Sequence, residues 1–190
     1  MDMIFENVCK SFGSRAVLNN FTASFPQGSV TMVTGPSGGG KTTLLNLILG
    51  LLKPDSGRLE GLPEAPAVVF QEDRLCEGFS AVSNIRLVTG DRCSREEILR
   101  HLDMLGIGDS ADLPVRQLSG GMRRRVALAR AVLYGGDALI LDEAFKGLDP
   151  ASKQIALEYV RDHRNGRTMI CVTHDEQEAA FFGGQRLRVG

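Results

Sequence analysis

The sequence predicts an α/β fold in a single domain over residues 1–190. A mainly parallel sheet is covered by helices, with an antiparallel β region at the N-terminal end and a small helical insertion at about 76–118. Three observations predict it. The strand-like run Val30-Thr31-Met32-Val33-Thr34 leads into a glycine loop and then into Leu44-Leu45-Asn46-Leu47-Ile48-Leu49, a helix apolar nearly all round and therefore buried. The continuous apolar run Ala138-Leu139-Ile140-Leu141 reads as a parallel strand covered on both faces. Between these two, residues 76–118 carry helical spacing.

Composition narrows the classes of function. A formal net charge of −1 gives no general attraction to nucleic acid or anionic lipid. No apolar run approaches the roughly 20 residues that cross a bilayer. The start, Met1-Asp2-Met3-Ile4-Phe5-Glu6, lacks the basic and apolar stretches of a signal peptide. Cys9, Cys76, Cys93 and Cys171 are scattered, with no metal-like spacing, as suits reduced thiols. The expectation is a soluble, cytoplasmic protein with no nucleic-acid partner.

At the N-terminal end, Met3–Val8, Ala16–Phe25 and Val30–Thr34 read as strands, punctuated by turns at Gly13-Ser14 and Pro26-Gln27-Gly28. Such short links favour antiparallel pairing. Phe12, before the first turn, can stack on an adenine ring or simply belong to core or rim. The glycine loop is Gly35-Pro36-Ser37-Gly38-Gly39-Gly40-Lys41-Thr42-Thr43. Strand, loop, Lys-Thr and helix match the phosphate-binding pattern GxxxxGK[ST] in the context it requires. Glycines let several backbone N–H groups point at one anion, and the positive helix end adds to their pull. Lys41 can reach the β- and γ-phosphates, and the Thr42 hydroxyl can ligate Mg²⁺. This loop is expected to bind a nucleoside triphosphate.

Pro54-Asp55-Ser56-Gly57 is a turn, and Ala67-Val68-Val69-Phe70 a buried strand that delivers Gln71. An amide there can meet a ligand at a sheet edge, or be an ordinary surface residue. In the insertion, Val82–Val88 and Arg95–Leu105 read as helices, the second with Ser94 and Glu97 as a capping box. His101 on that helix reads as structural. Leu118-Ser119-Gly120-Gly121-Met122 opens a helix over Arg123–Leu133, with Ser119 as its cap; it is either a second anion site or an ordinary cap. Arg123-Arg124-Arg125 read as a solvated face. The run Ala138–Leu141 ends in Asp142-Glu143, where open α/β sheets bind ligands. Asp142 can hold Mg²⁺ through water, and Glu143 can reach the attacking water as general base. Gly147-Leu148-Asp149-Pro150 turns into a helix running to about His163, a histidine expected to be exposed. A last strand, Thr168–Thr173, delivers His174 and Asp175 to the same sheet edge.

The ordered set Gly35 to Thr43, Gln71, Leu118 to Met122, Leu139 to Glu143, Gly147-Leu148-Asp149 and His174 resembles the ATP-binding subunits of ABC transporters, over essentially the whole chain. The most specific segment runs from Leu118 through Arg123-Arg124-Arg125 to Ala131, because it separates this family from other phosphate-loop ATPases. Gln71-Glu72-Asp73-Arg74-Leu75 looks like the nitrate, sulfonate and taurine importer group. The resemblance implies a P-loop NTPase core and an ATPase that powers membrane transport. It further implies that Gln71 is the coupling glutamine, Ser119 the signature serine, His174 the switch histidine and Phe12 the adenine-stacking aromatic, and that Asp149 lies at a dimer interface.

On that resemblance two copies pair head-to-tail, each ATP lying between one chain's Lys41 loop and the other chain's Ser119-Gly120-Gly121. Mg²⁺ is held by Thr42, the phosphates and, through water, Asp142, with Gln71 completing the site. Glu143 polarises the attacking water and His174 contacts the γ-phosphate. A separate membrane-spanning permease docks near Gln71 and Leu75–Arg86, placing the chain on the inner face of the cell membrane. A periplasmic or lipid-anchored substrate-binding protein is a further partner of such importers. Export, lipoprotein release or envelope remodelling, and a regulatory module without turnover, stay as alternatives. Three positions depart from the family: Met122 where Gln is usual, Ala144 where Pro commonly follows the Glu, and Lys146 before Gly147. None removes a group the reaction needs. The sequence after His174 is expected to be too short for a C-terminal regulatory domain.

Overall fold

In chain order the elements are β1 (Met3–Phe12), β2 (Arg15–Phe25), β3 (Val30–Thr34), α1 (Lys41–Ile48), β4 (Ser56–Glu60), β5 (Ala67–Val69), α2 (Ala81–Thr89), α3 (Arg95–Met104) and α4 (Gly120–Tyr134). Then follow β6 (Ala138–Asp142), α5 (Pro150–His163), β7 (Thr168–Val172), α6 (Glu176–Phe182) and β8 (Gln185–Arg188). This is a computed structural model describing residues 1–190. The chain gathers into two units: 1–66, 137–140 and 166–190 in the first, 67–136 and 141–165 in the second.

In the first unit, β1 and β2 form an antiparallel hairpin closed at Phe12 and Arg15, and β4 pairs with the other side of β1. The ring of Phe5 meets Phe25 edge-on at 5.7 Å and Phe21 at 6.0 Å, so this small sheet carries its own aromatic cluster. A second sheet runs in the order β6-β7-β3-β8, with β3 parallel to both β7 and β8. Every residue of β7 is buried, as are Val30 to Val33 of β3, which is what a parallel strand covered on both faces requires. Helix α1 buries Leu44, Leu45, Leu47 and Ile48.

The second unit is mostly helical. Single 3-10 turns at Gly90–Arg92, Gly108–Ser110 and Val115–Gln117 link α2, α3 and α4. Ile85, Ile98, Leu102, Leu105 and Leu128 are fully buried, and α4 packs against β5, α2, α3 and α5. A side-chain oxygen caps each of the second unit's four helices: Ser80 for α2, Ser94 for α3, Ser119 for α4 and Asp149 for α5. Each satisfies an amide the helix itself leaves open.

Several expectations need correction. Strand β3 leaves the antiparallel region for the parallel sheet, because its apolar run needs cover on both faces and the hairpin offers one. Helix α4 starts at Gly120, not Arg123, since Ser119 already supplies the cap. His163 is half-buried and stacks on Tyr159 with centroids 4.7 Å apart. Helix α6 and strand β8 were not anticipated. Arg124 is buried rather than solvated. No helix is long and apolar enough to cross a membrane.

Candidate functional site

The glycine loop belongs to the first unit. Gly35 has φ +146, and a Cβ there would run into the Val189 carbonyl oxygen, so the close backbone approach requires glycine. Gly40, at φ +102, is the N-cap of α1 and offers no side-chain acceptor. The first amides of the helix are therefore left without a side-chain cap, the arrangement an anion can use. Lys41 is buried, and its ammonium donates to the carbonyls of Gly35 and Pro36, each at 2.8 Å. A cation thus stands over the loop backbone. Thr43 is buried whereas Thr42 is exposed, leaving the Thr42 hydroxyl open to a ligand. Arg15 braces the loop from the hairpin, donating to the Gly38 carbonyl at 2.9 Å.

Phe12 ends β1 at the hairpin turn and is 50% exposed, which removes the core reading and keeps the rim and stacking ones. Lys10 approaches its ring at 5.7 Å. His174 stands two residues beyond β7 and is exposed. Its neighbours are fixed: the Thr173 hydroxyl donates to buried Glu178 at 2.6 Å, and Asp175 caps α6 through the Gln177 amide.

The remaining candidates lie in the second unit. Gln71 follows β5 and is exposed, but its backbone is gripped. Arg124 of α4 donates to the carbonyls of Phe70 at 2.7 Å and of Gln71 at 2.5 Å, while its Nε lies 3.1 Å from Asp73. Six residues along the same helix, Arg130 donates to the carbonyls of Asp73 and Arg74, at 3.0 and 2.7 Å. The Arg74 guanidinium in turn covers the Phe70 ring at 3.7 Å. Of the five carbonyls from Phe70 to Arg74, all but that of Glu72 are thereby taken by one helix.

At the start of α4 the Ser119 oxygen accepts from the Met122 amide at 3.2 Å, and Gly120 and Gly121 form the first turn. That hydroxyl still has its own proton to donate. Asp142 ends β6, and Glu143 follows it at φ +48, a left-handed conformation unusual for a residue with a side chain. Such strained positions gather where function over-determines the backbone. Glu143 is ion-paired to Lys146, Oε2 to Nζ at 2.8 Å. Asp149 accepts from the Ser152 amide at 3.0 Å, and its hydrogen bonds with Ser152 hold the carboxyl below the usual carboxylate range.

The first unit brings together Gly35 to Thr43, and the second places Asp142 at the end of β6 with Glu143 and Lys146 in the tight turn that follows. The residues sequence reasoning missed are Arg15, Arg124 and Arg130, with Lys146 noticed only as a departure. A signal for Arg124 was present. It precedes Ala127, Leu128 and Ala131 by three, four and seven residues, and all three are buried, so it stands on the apolar stripe of the helix.

A family model described as ABC transporter matches residues 18–146. The chain is 38% identical over 191 residues to the aliphatic sulfonates import ATP-binding protein of Burkholderia lata, across 96% of this chain and 59% of that protein. It is 36% identical over 184 residues to the taurine import ATP-binding protein of Pseudomonas aeruginosa, across 88% and 69%. The chain thus spans little more than half the length of the first of these relatives. Among solved structures, a dimeric ATP-binding cassette in a post-hydrolysis state, bound to ADP and Pi, superposes with a TM-score of 0.83 at 26% identity, across 98% of this chain and 94% of that one. Matched along most of its length by sequence and by fold, the chain belongs to the ABC transporter family.

Proposed function

We propose that this chain binds ATP with Mg²⁺ and hydrolyses it to power a membrane transporter, an importer whose cargo class is that of sulfonates. The observation that carries the reading is the glycine loop, where Gly40 opens α1 without a side-chain cap and the Lys41 ammonium stands over the backbone. That loop is built to receive the phosphates of a nucleotide. The names of the relatives from Burkholderia lata and Pseudomonas aeruginosa support import and the cargo class.

Roles follow the chemistry of each side chain. Lys41 and the loop amides bind and orient the β- and γ-phosphates, and Phe12 offers its exposed face to adenine. No ready cluster of three or more acidic, histidine or cysteine side chains exists to cage a metal. Hard oxygen donors fit a cation that keeps its waters and takes ligands from phosphates. Thr42, Gln71 and, through water, Asp142 would hold Mg²⁺, which offsets phosphate charge when bound. Glu143 takes a proton from the attacking water, and His174 donates to the γ-phosphate. Ser119, Gly120, Gly121 and Asp149 serve a second copy of the chain in a head-to-tail dimer, a reading the dimeric neighbour supports. A permease holds the dimer at the inner membrane face, and a substrate-binding protein delivers the cargo to it.

The test is phosphate release by the purified chain. Glu143→Gln is expected to slow turnover by about 10²–10⁴-fold with ATP binding intact, and to accumulate an ATP-bound dimer. Near-normal turnover in that variant removes Glu143 from the role. Native protein that binds ATP and releases no phosphate would instead be a regulatory module. Cargo movement outward through the co-purifying membrane partner would replace import by export.

A further inference from the structure

Lys146 stands three residues after Glu143, within the turn that follows β6. The segment 143–146 is a tight turn, in which the Lys146 amide donates to the Glu143 carbonyl at 3.2 Å. Its two middle residues, Ala144 and Phe145, are buried at 0% and 1% exposure and anchor the turn in the core of the second unit. Glu143 and Lys146 are thus presented from the two ends of a rigid staple. Their side chains meet at 2.8 Å, with the Glu143 side chain 12% exposed and the Lys146 side chain 61% exposed.

We propose that Lys146 restrains Glu143, and through it the rate of hydrolysis. The inference rests on the reading of Glu143 as the base. A base needs an oxygen lone pair directed at the water it polarises. A charge-assisted hydrogen bond from an ammonium occupies one oxygen, fixes the side-chain rotamer and draws electron density from the carboxylate. The anchored turn makes this pairing the resting arrangement, because little side-chain freedom on Glu143 is left to lose. Turnover therefore waits on opening of the pair. Lys146 is a positioning residue here and touches no reactant. Because the lysine is largely solvated, the restraint is modest and sensitive to salt.

The experiment compares native protein with Lys146→Met and Lys146→Arg in steady-state ATP hydrolysis. Lys146→Met, which keeps the length of the side chain and removes its charge, is expected to raise kcat about two- to fivefold with KM unchanged. Lys146→Arg should retain the native rate, and added salt should speed the native protein while leaving Lys146→Met unmoved. An unchanged or lower kcat in Lys146→Met overturns the restraint. Glu143→Gln, made alone and with Lys146→Met, separates the two ideas. If it abolishes turnover while Lys146→Met does nothing, only the restraint falls. If it leaves turnover intact, the base assignment fails and the restraint goes with it.

Discussion

The loop from Gly35 to Gly40 and the segment from Phe70 to Arg74 are both irregular backbone following a strand, and they are shaped by different means. In the glycine loop the forces are mainly local. Positive φ angles at Gly35, Gly38 and Gly40 bend the chain, and Lys41 closes on carbonyls five and six residues behind it. In the 70–74 segment the forces are remote. Arg124 and Arg130 reach carbonyls 53 to 57 residues away in sequence. A loop shaped by its own glycines announces itself in the sequence, whereas one shaped by a distant helix does not. The first draws only an outside brace from Arg15, while the second is tied to α4 at four carbonyls.

That contrast can be broken at Arg124. Arg124→Met strands the Phe70 and Gln71 carbonyls and leaves Asp73 short of a partner, so the second unit should lose roughly 2–4 kcal/mol of stability. Urea unfolding measures it, with Arg123→Met as the control expected to cost under about 0.5 kcal/mol. Equal, small losses in both would show the remote grip to be ornamental. The local loop can be broken at Gly35, where an alanine must adopt φ +146 and displace the Val189 carbonyl. Gly35→Ala should weaken nucleotide binding by about 1–3 kcal/mol, roughly five- to 150-fold, with little effect on unfolding of the second unit. Native affinity in a titration calorimeter would contradict this.

A smaller effect sharpens the comparison inside the second unit. His101 of α3 meets the Tyr159 hydroxyl of α5 through Nδ1 at 2.8 Å, and His163 lies 5.1 Å from its ring. Burial, then the neighbouring His163 charge, lowers the His101 pKa from its ordinary value. The unfolded chain therefore takes up this proton more readily than the folded one. The resulting stability is fully present above about pH 6.5 and is lost as pH falls through the lowered folded value. His101→Phe should flatten that part of the stability–pH curve. A slope unchanged by the substitution would assign it to other groups.

The same division of local and remote explains what could be read from the sequence. The glycine loop, the capping by Ser94 and Ser119, the apolar runs of β6 and β7, and the Asp142-Glu143 strand end were all legible, because each is written in consecutive residues. Strand β8 was not. Gln185-Arg186-Leu187-Arg188 carries one apolar residue and reads as a strand only when β3 supplies its partner. His163 was read as exposed because it sits in a charged helix end; Tyr159, one turn earlier on the same face, was a local signal, whereas His101 of α3 is remote in sequence. Lys146 was visible as an oddity, but its pairing with Glu143 depends on a turn anchored by Ala144 and Phe145, and periodicity gives no hint of that.

The N-terminal hairpin has a consequence for how the gene can change. Asn7 and Asn20 sit at positive φ, and the pairing of β1 with β2 shifts register between Phe5 and Val8, between Val8 and Lys10, and between Lys10 and Ser11. Those irregularities make the ribbon count: Lys10 reaches Asp55 at 2.6 Å and Phe12 arrives at the tip only at this residue number. A single codon lost between Asn7 and Phe12 would reverse the parity of the side chains from the deletion to the tip, sending each to the opposite face. Hairpin tips are usually where insertions and deletions are tolerated. In this one, the positions of Lys10 and Phe12 depend on length as much as on identity.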